Sequence, residues 1–270
     1  MLTDAAPTDV PWDTFHRRWR QLEPPLRPHP TVCAALREQI AHDDARVLLL
    51  GVTPELADLS ASTLAIDWSD NMLAHVWPGD TPTRRALKAN WLHLPCPDRS
   101  FSAAIGDGSL NCLEYPCDYR RLFHELARVV RPGGRVAVRV YATPDPCEST
   151  AAVQGRAMAG RIGTIHALKW RLANALSAQA TQPNVSVQSI LDTFNRLFPD
   201  RLALRCATGW EESVIAQIDA FEGLPDVHSF PTLKQLLASI THEFEAPRLV
   251  PSGSYELAER CPLLVMDVRQ

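Results

Sequence analysis

The apolar positions of the chain follow two periods. Short runs that are continuous or alternating predict strands over Arg46–Val52, Thr63–Ile66, Phe101–Ile105 and RVAVRVY (135–141), with a weaker one over Arg85–Leu92. Helical spacing appears between them. PCDYRRLFHELARVV (116–130) sets Tyr119, Leu122, Phe123, Leu126, Val129 and Val130 on one face, with Pro116 suited to a first turn and RPGG (131–134) as the stop. Upstream, residues 10–44 read as helical with a break. Trp12, Phe15 and Trp19 share a face, PPLRPHP (24–30) interrupts, and Thr31 caps a second helix through Ile40. Downstream, Met158, Ile162, Ile165, Leu168, Leu172 and Leu176 form a stripe whose start is weakened by Gly155, Gly160 and Gly163. Ser189–Phe198 and Pro231–Phe244 predict two more helices, and Arg248–Val250 with Pro262–Val268 a closing strand pair.

This order predicts an α/β fold: a doubly wound, mostly parallel seven-stranded sheet with helices on both faces, an antiparallel edge strand and a helical cap insertion. The expected divisions are a helical lid segment at 1–44, a Rossmann-like core at 45–144, a cap at 145–200 and completion of the sheet at 201–270. Such sheets bind ligands outside the carboxyl ends of their strands. The residues to watch are therefore 51–55, 67–70, 90–91, 107–111 and Tyr141.

Composition narrows the function. With 270 residues, 46% of them hydrophobic, a sizeable core can be buried. A net charge of −4 argues against a general nucleic-acid partner, and Arg17, Arg18 and Arg20 read as a solvated helix face. No apolar run approaches the length of a membrane span, and MLTDAAPTDVPWD lacks the basic-then-apolar order of a signal peptide. Seven cysteines without a C-x-x-C pair fit free thiols in a reducing cytoplasm. There is no G-x-S-x-G elbow, phosphate loop or paired metal-ligand spacing, so no metal is expected; His124-Glu125 lacks the second His of a zinc motif.

ANWLHLPCPDRSFSAAIGDGSLN (89–111), followed by FHELARVVRPGGRVAVRV (123–140), resembles the class I S-adenosylmethionine-dependent methyltransferases. The resemblance covers about residues 45–141. The glycine loop departs from the family pattern, being reduced to Gly51-Val52-Thr53-Pro54-Glu55. The resemblance implies S-adenosyl-L-methionine as cofactor, lying across the strand ends.

Gly51 stands where the backbone would approach the ligand, and Pro54 with the following ELADL would open a helix toward it. Thr53 belongs to the same loop, and Glu55 is placed to accept from the methionyl ammonium. Asp67 follows an apolar strand, and a carboxylate there accepts both ribose hydroxyls; the competing N-cap role suits Ser69 or Asp70 better. Met72 either touches the adenine face or packs in the core. Family members place an acid or amide where Asn90 stands, to meet the adenine amino group, with Trp91 beside it. Asp107, Gly108 and Ser109 either reach the methionyl portion or make a tight turn. Arg27, bracketed by prolines, suits capture of a cofactor or substrate carboxylate, or is simply a surface arginine. Tyr141 is the candidate catalytic residue, and His166 and Trp170 either face the pocket or pack within the cap.

The leading expectation is a methyltransferase acting on a small molecule, with no nucleic-acid or membrane partner and an open oligomeric state. A second reading is attack on the methionyl γ-carbon, by an acceptor or by the cofactor's own amine, releasing methylthioadenosine. A third is a non-catalytic partner subunit that keeps the fold.

Overall fold

The computed structural model describes residues 19–40 and 45–270. Trp12, Phe15, Arg17 and Arg18, and most of the expected lid helix, lie outside the described residues. In chain order come helix α1 (Pro30–Gln39), strands β1 (Arg46–Leu50) and β2 (Ser62–Asp67), helix α2 (Asp70–His75), and strands β3 (Arg84–Lys88) and β4 (Phe101–Asp107). Helix α3 (Cys117–Val129) leads into β5 (Val130–Arg139). Then follow α4 (Thr150–Met158), α5 (Ile165–Ser177), β6 (Asn184–Ser186), α6 (Val187–Leu197), α7 (Arg201–Thr208), α8 (Glu212–Ile215) and β7 (Val227–Ser229). Helix α9 (Leu233–Ser239) and strands β8 (Phe244–Val250) and β9 (Leu263–Val268) close the chain.

Among the described residues the main sheet has seven strands in the order β3-β2-β1-β4-β5-β9-β8. The first five pair in parallel, and β9 runs antiparallel to both β5 and β8 at that edge. The chain order crosses from β3 over to β4 between β1 and β5, so a crevice opens beyond the tips of β1 and β4.

Period-two alternation explains why both faces are covered. Leu48, Leu50, Ile66, Ala104, Val136 and Val138 point to one side, where Tyr119, Leu122, Phe123 and Leu126 of α3 meet them. Val47, Leu49, Ala65, Ala103, Ile105 and Ala137 point to the other, against Val32 and Leu36 of α1, Leu56 and Met72. Strands buried on both faces are apolar where buried, as β1 is from Val47 to Leu50.

Four features differ from the sequence expectation. The stretch after Pro54 makes only a 3-10 turn, Pro54–Leu56, rather than a helix aimed at the crevice. His29 caps α1, its Nδ1 accepting from the Thr31 N–H at 3.3 Å, so Thr31 sits inside the first turn. The stripe from Met158 to Leu176 is two helices, because the glycine-bearing segment between α4 and α5 breaks it. The last residues expected in the Pro231–Phe244 helix instead turn toward β8.

The cap also extends further along the chain than 145–200. Leu204, Ile215, Ile218 and Phe230 share one apolar cluster with Val153, Leu168, Leu172 and Phe194. Only α9, β8 and β9 of the last seventy residues adjoin the sheet core; the short β6–β7 ribbon belongs to the cap and is tied back by Asn111. That side chain donates through Nδ2 to the carbonyls of Tyr141 (2.8 Å) and Ser229 (2.6 Å), and its Oδ1 accepts from the Tyr141 N–H at 2.9 Å.

Candidate functional site

The crevice holds a cavity of about 290 Å³, walled below by strand tips and above by the cap. Gly51, Asp67, Trp91, Asp107 and Tyr141 line it from the sheet, and Trp170 and His228 from the cap.

Gly51 ends β1 with φ +96°, a conformation that favours glycine. A side chain there would stand 3.8 Å from both Asp67 Oδ2 and the Trp91 ring. This bare backbone therefore separates the β2 carboxylate from the indole. Asp67 is oriented locally: its Oδ1 accepts from the Ser69 N–H at 2.9 Å. Ser69 in turn caps α2 by accepting from the Met72 N–H, which leaves Asp67 outside the cap. The Trp91 indole N–H donates to the Ile66 carbonyl at 2.6 Å, pinning the ring beside the tip of β2. Met72 is buried and lines the cavity while also belonging to the core. Asn90 lines it as well, but its amide oxygen accepts from the Leu92 N–H at 2.9 Å. The amide NH₂ and the second lone pair of the oxygen are left for a ligand.

The β4 tip is built around a buried ion pair. Asp107 and Arg139 face each other in the β4–β5 register and bond through both carboxylate oxygens, one contact measuring 2.9 Å. Arg139 also donates to the Pro25 carbonyl (2.8 Å), the Tyr141 hydroxyl (3.0 Å) and the Tyr255 hydroxyl (3.0 Å). Burial is the largest influence and would lower the guanidinium pKa; the Asp107 charge and hydrogen bond together with the Tyr141 and Tyr255 hydroxyls outweigh it and hold the group well above its ordinary range. Gly108 has φ +68°, and a Cβ would come within 2.6 Å of the Tyr141 ring. Ser109 is buried and donates its hydroxyl to the Leu50 carbonyl at 2.9 Å, joining the tips of β4 and β1. Asp107–Ser109 is thus both a tight turn and a cavity wall. Thr53 lines the cavity too, without a side-chain cap bond to the 3-10 turn that follows.

Three expectations need correction, those for Tyr141, Arg27 and Glu55. Tyr141 lines the cavity with its ring, but its hydroxyl donates to the Pro25 carbonyl at 3.0 Å and accepts from Arg139. Burial holds its proton far more tightly than usual, so it positions the N-terminal segment rather than acting as a base. Arg27 does capture a carboxylate, but that carboxylate is Glu55, at 2.5 Å. Neither lines the cavity, and the Glu55 Oε2 is buried without a partner. His166 is buried away from the cavity, and burial pushes its pKa down to about 3. His124 is structural, bonding Glu243 at 2.5 Å.

Sequence reasoning missed Arg139, Lys169, Asp226 and His228. None left a local signal: in RVAVRVY (135–141) Arg139 falls with Arg135 on the face opposite the valines, as the alternation expects. Among the described residues no group of three or more His, Cys, Asp or Glu side chains is arranged to hold a metal, and no helix is long and apolar enough to cross a membrane.

Comparison with known proteins bears on this geometry. Residues 51–138 match a family described as a methyltransferase domain. The demethylmenaquinone methyltransferase of Corynebacterium urealyticum is 37% identical over 93 residues, which is 34% of this chain and 37% of that protein. Matches of this kind cover from 37% to 63% of the relatives' length. Two solved structures share the fold. One, from Rhodobacter sphaeroides and provisionally assigned to the zinc-dependent alcohol dehydrogenases, aligns over 100% of both chains at TM-score 0.63 and 12% identity. The other, the CcbJ methyltransferase of Streptomyces caelestis, aligns over 96% of this chain and 97% of its own at TM-score 0.54 and 14% identity.

Proposed function

We propose that the chain is a class I, S-adenosylmethionine-dependent methyltransferase, on the match of residues 51–138 to a methyltransferase domain, and that it transfers a methyl group to a small organic acceptor. The observation that carries the proposal is the arrangement at the tip of β2. Asp67 projects a carboxylate into the cavity beside a glycine whose missing side chain leaves room for a ligand, with a pinned indole on the far side.

The residues present fit the cofactor. Asp67 is the acceptor for two ribose hydroxyls, since an ionised carboxylate offers two oxygens where a neutral side chain offers one. Met72 and Trp91 provide soft and aromatic surfaces for adenine, and the Asn90 NH₂ a donor to a ring nitrogen. Asp107, Gly108 and Ser109 form the wall toward the methionyl portion. When bound, the cofactor supplies an electrophilic methyl group on a sulfonium. The chain's part is to orient, to exclude water and to hold a positive charge. Trp91, Tyr141, Trp170 and Phe221 face the cavity, and aromatic faces attract a cation. Alignment of acceptor and methyl carbon within such an enclosure supplies much of the barrier reduction.

The relatives named above act, by their names, on demethylmenaquinone; a ring-bearing small molecule is consistent with the aromatic cap here. Isothermal titration with S-adenosylmethionine and S-adenosylhomocysteine tests the proposal. Micromolar binding that Asp67→Ala weakens supports it, and silence at high micromolar ligand removes it. Product analysis then separates the chemistries: S-adenosylhomocysteine marks methyl transfer, and methylthioadenosine marks attack at the γ-carbon.

A further inference from the structure

Among the described residues, Asp226 Oδ2, an acceptor at the start of the cap ribbon, and Trp170 Nε1, a donor on α5, are buried polar atoms of cavity-lining residues without a hydrogen-bond partner. Trp170 is 5% exposed, so solvent does not serve it, and its ring is fixed by Tyr141 and Phe230, both with centroids 5.2 Å away. Folded proteins seldom leave such groups unpaired, because each forfeits its bonds to water without replacement. An unpaired donor and an unpaired acceptor in one cavity are the complement of a ligand group that both donates and accepts.

The surroundings restrict that ligand further. His228, in β7, and Asp226, just before that strand, both line the cavity, and His228 stands edge-on to Trp170 with centroids 6.5 Å apart at 78°. Its ring nitrogens have no hydrogen-bond partner among the described residues. Burial pushes its pKa down to about 4, so the ring is neutral near pH 7. Lys169, the cavity's cation on this side, is engaged with the Gln217 carbonyl at 3.1 Å and lies 4.8 Å from the Phe221 ring centre. Leu22, Leu26, Leu113 and Phe221 add apolar surface to the same cavity.

We propose that Asp226, Trp170 and His228 form the acceptor subsite, and that it takes a hydroxyl-bearing aromatic molecule whose hydroxyl donates to Asp226 and accepts from Trp170. This rests on the methyltransferase reading only in calling the occupant the methyl acceptor; the recognition chemistry stands without it.

The test is titration of the full chain with 1-naphthol and 1-methoxynaphthalene, each with and without saturating S-adenosylhomocysteine. The expected result is naphthol binding at least tenfold tighter than its methyl ether. Asp226→Leu should erase the preference. Trp170→Phe, which keeps a ring and loses the N–H, should weaken naphthol about fivefold or more. Both variants should bind the ether within twofold of the parent chain. Equal affinity for the two probes, a preference that survives both substitutions, or no binding of either probe would overturn the proposal. Failure of S-adenosylhomocysteine to bind counts against the methyltransferase reading alone, since the probe preference is read in its absence as well.

Discussion

Replacing Arg139 with Met tests how the β4 tip is held together. The side chain is fully buried, and the Asp107 carboxylate it meets is 2% exposed, so solvent screening does not rescue the carboxylate. Met fills much of the volume but donates nothing to Asp107, the Pro25 carbonyl or the Tyr141 and Tyr255 hydroxyls. Stranding a buried charge by removing its partner costs about 3–5 kcal/mol. Converting Asp107 to Asn in the same chain removes the stranded charge, so the double variant should recover about 2–3 kcal/mol of that loss. The single variant should also show a pH signature. Burial already raises the folded Asp107 pKa above its ordinary value of about 3.9 even beside Arg139, and loss of the partner raises it further. The folded state then holds a proton that the unfolded state has released, and stability falls as pH rises from about 4 toward the raised value. Urea denaturation of the parent, both single variants and the double variant, at pH 5 and pH 8, measures all of this. A loss below about 1 kcal/mol, or strict additivity in the double variant, would refute the assignment of this pair as a buried charge couple that fixes the tip.

Other consequences are equally accessible. Asp67→Ala should weaken S-adenosylhomocysteine binding by about 1.5–3 kcal/mol, the range for a hydrogen bond to a charged group, with little change in thermal stability; calorimetry reads the first and a melting scan the second. Gly108→Ala should destabilise by about 1–3 kcal/mol, because it combines a positive φ with a Cβ driven into Tyr141, and a smaller residue at 141 should relieve the part due to contact. Tyr141→Phe should cost about 0.5–1.5 kcal/mol and leave S-adenosylhomocysteine affinity within about threefold, as expected if the hydroxyl serves Pro25 and Arg139 rather than chemistry. His166 stays neutral when folded, with a pKa of about 3, whereas an unfolded histidine binds a proton below about 6.5. Acid therefore favours the unfolded chain, at up to roughly 2 kcal/mol between pH 6.5 and 5, and His166→Gln should flatten that limb of the stability curve.

The sequence alone determined the sheet and the places where a ligand meets it. Alternation of apolar residues is a local property with a fixed period, so β1, β2, β4 and the strand pair near the C-terminus were legible. So were the residues that follow them, because a strand's carboxyl end is where its apolar run stops. Asp67, Gly51 and Asp107 could be placed at the crevice on that ground alone. What each side chain does there was decided by tertiary structure. Arg27 and Glu55 are 28 residues apart, and nothing local says that they will spend their charges on each other. Whether Tyr141 offers a free hydroxyl depends on where the Pro24–Leu26 segment docks, which no periodicity encodes. The cap subsite was the least visible. Its strand is three residues long, too short for any pattern, and Asp226 and His228 reach the cavity only because β7 pairs with β6 and Asn111 ties that ribbon to β5. Period and punctuation fix where the backbone goes; hydrogen bonds and charges between distant segments, formed only when those segments pack, fix which groups remain available for chemistry.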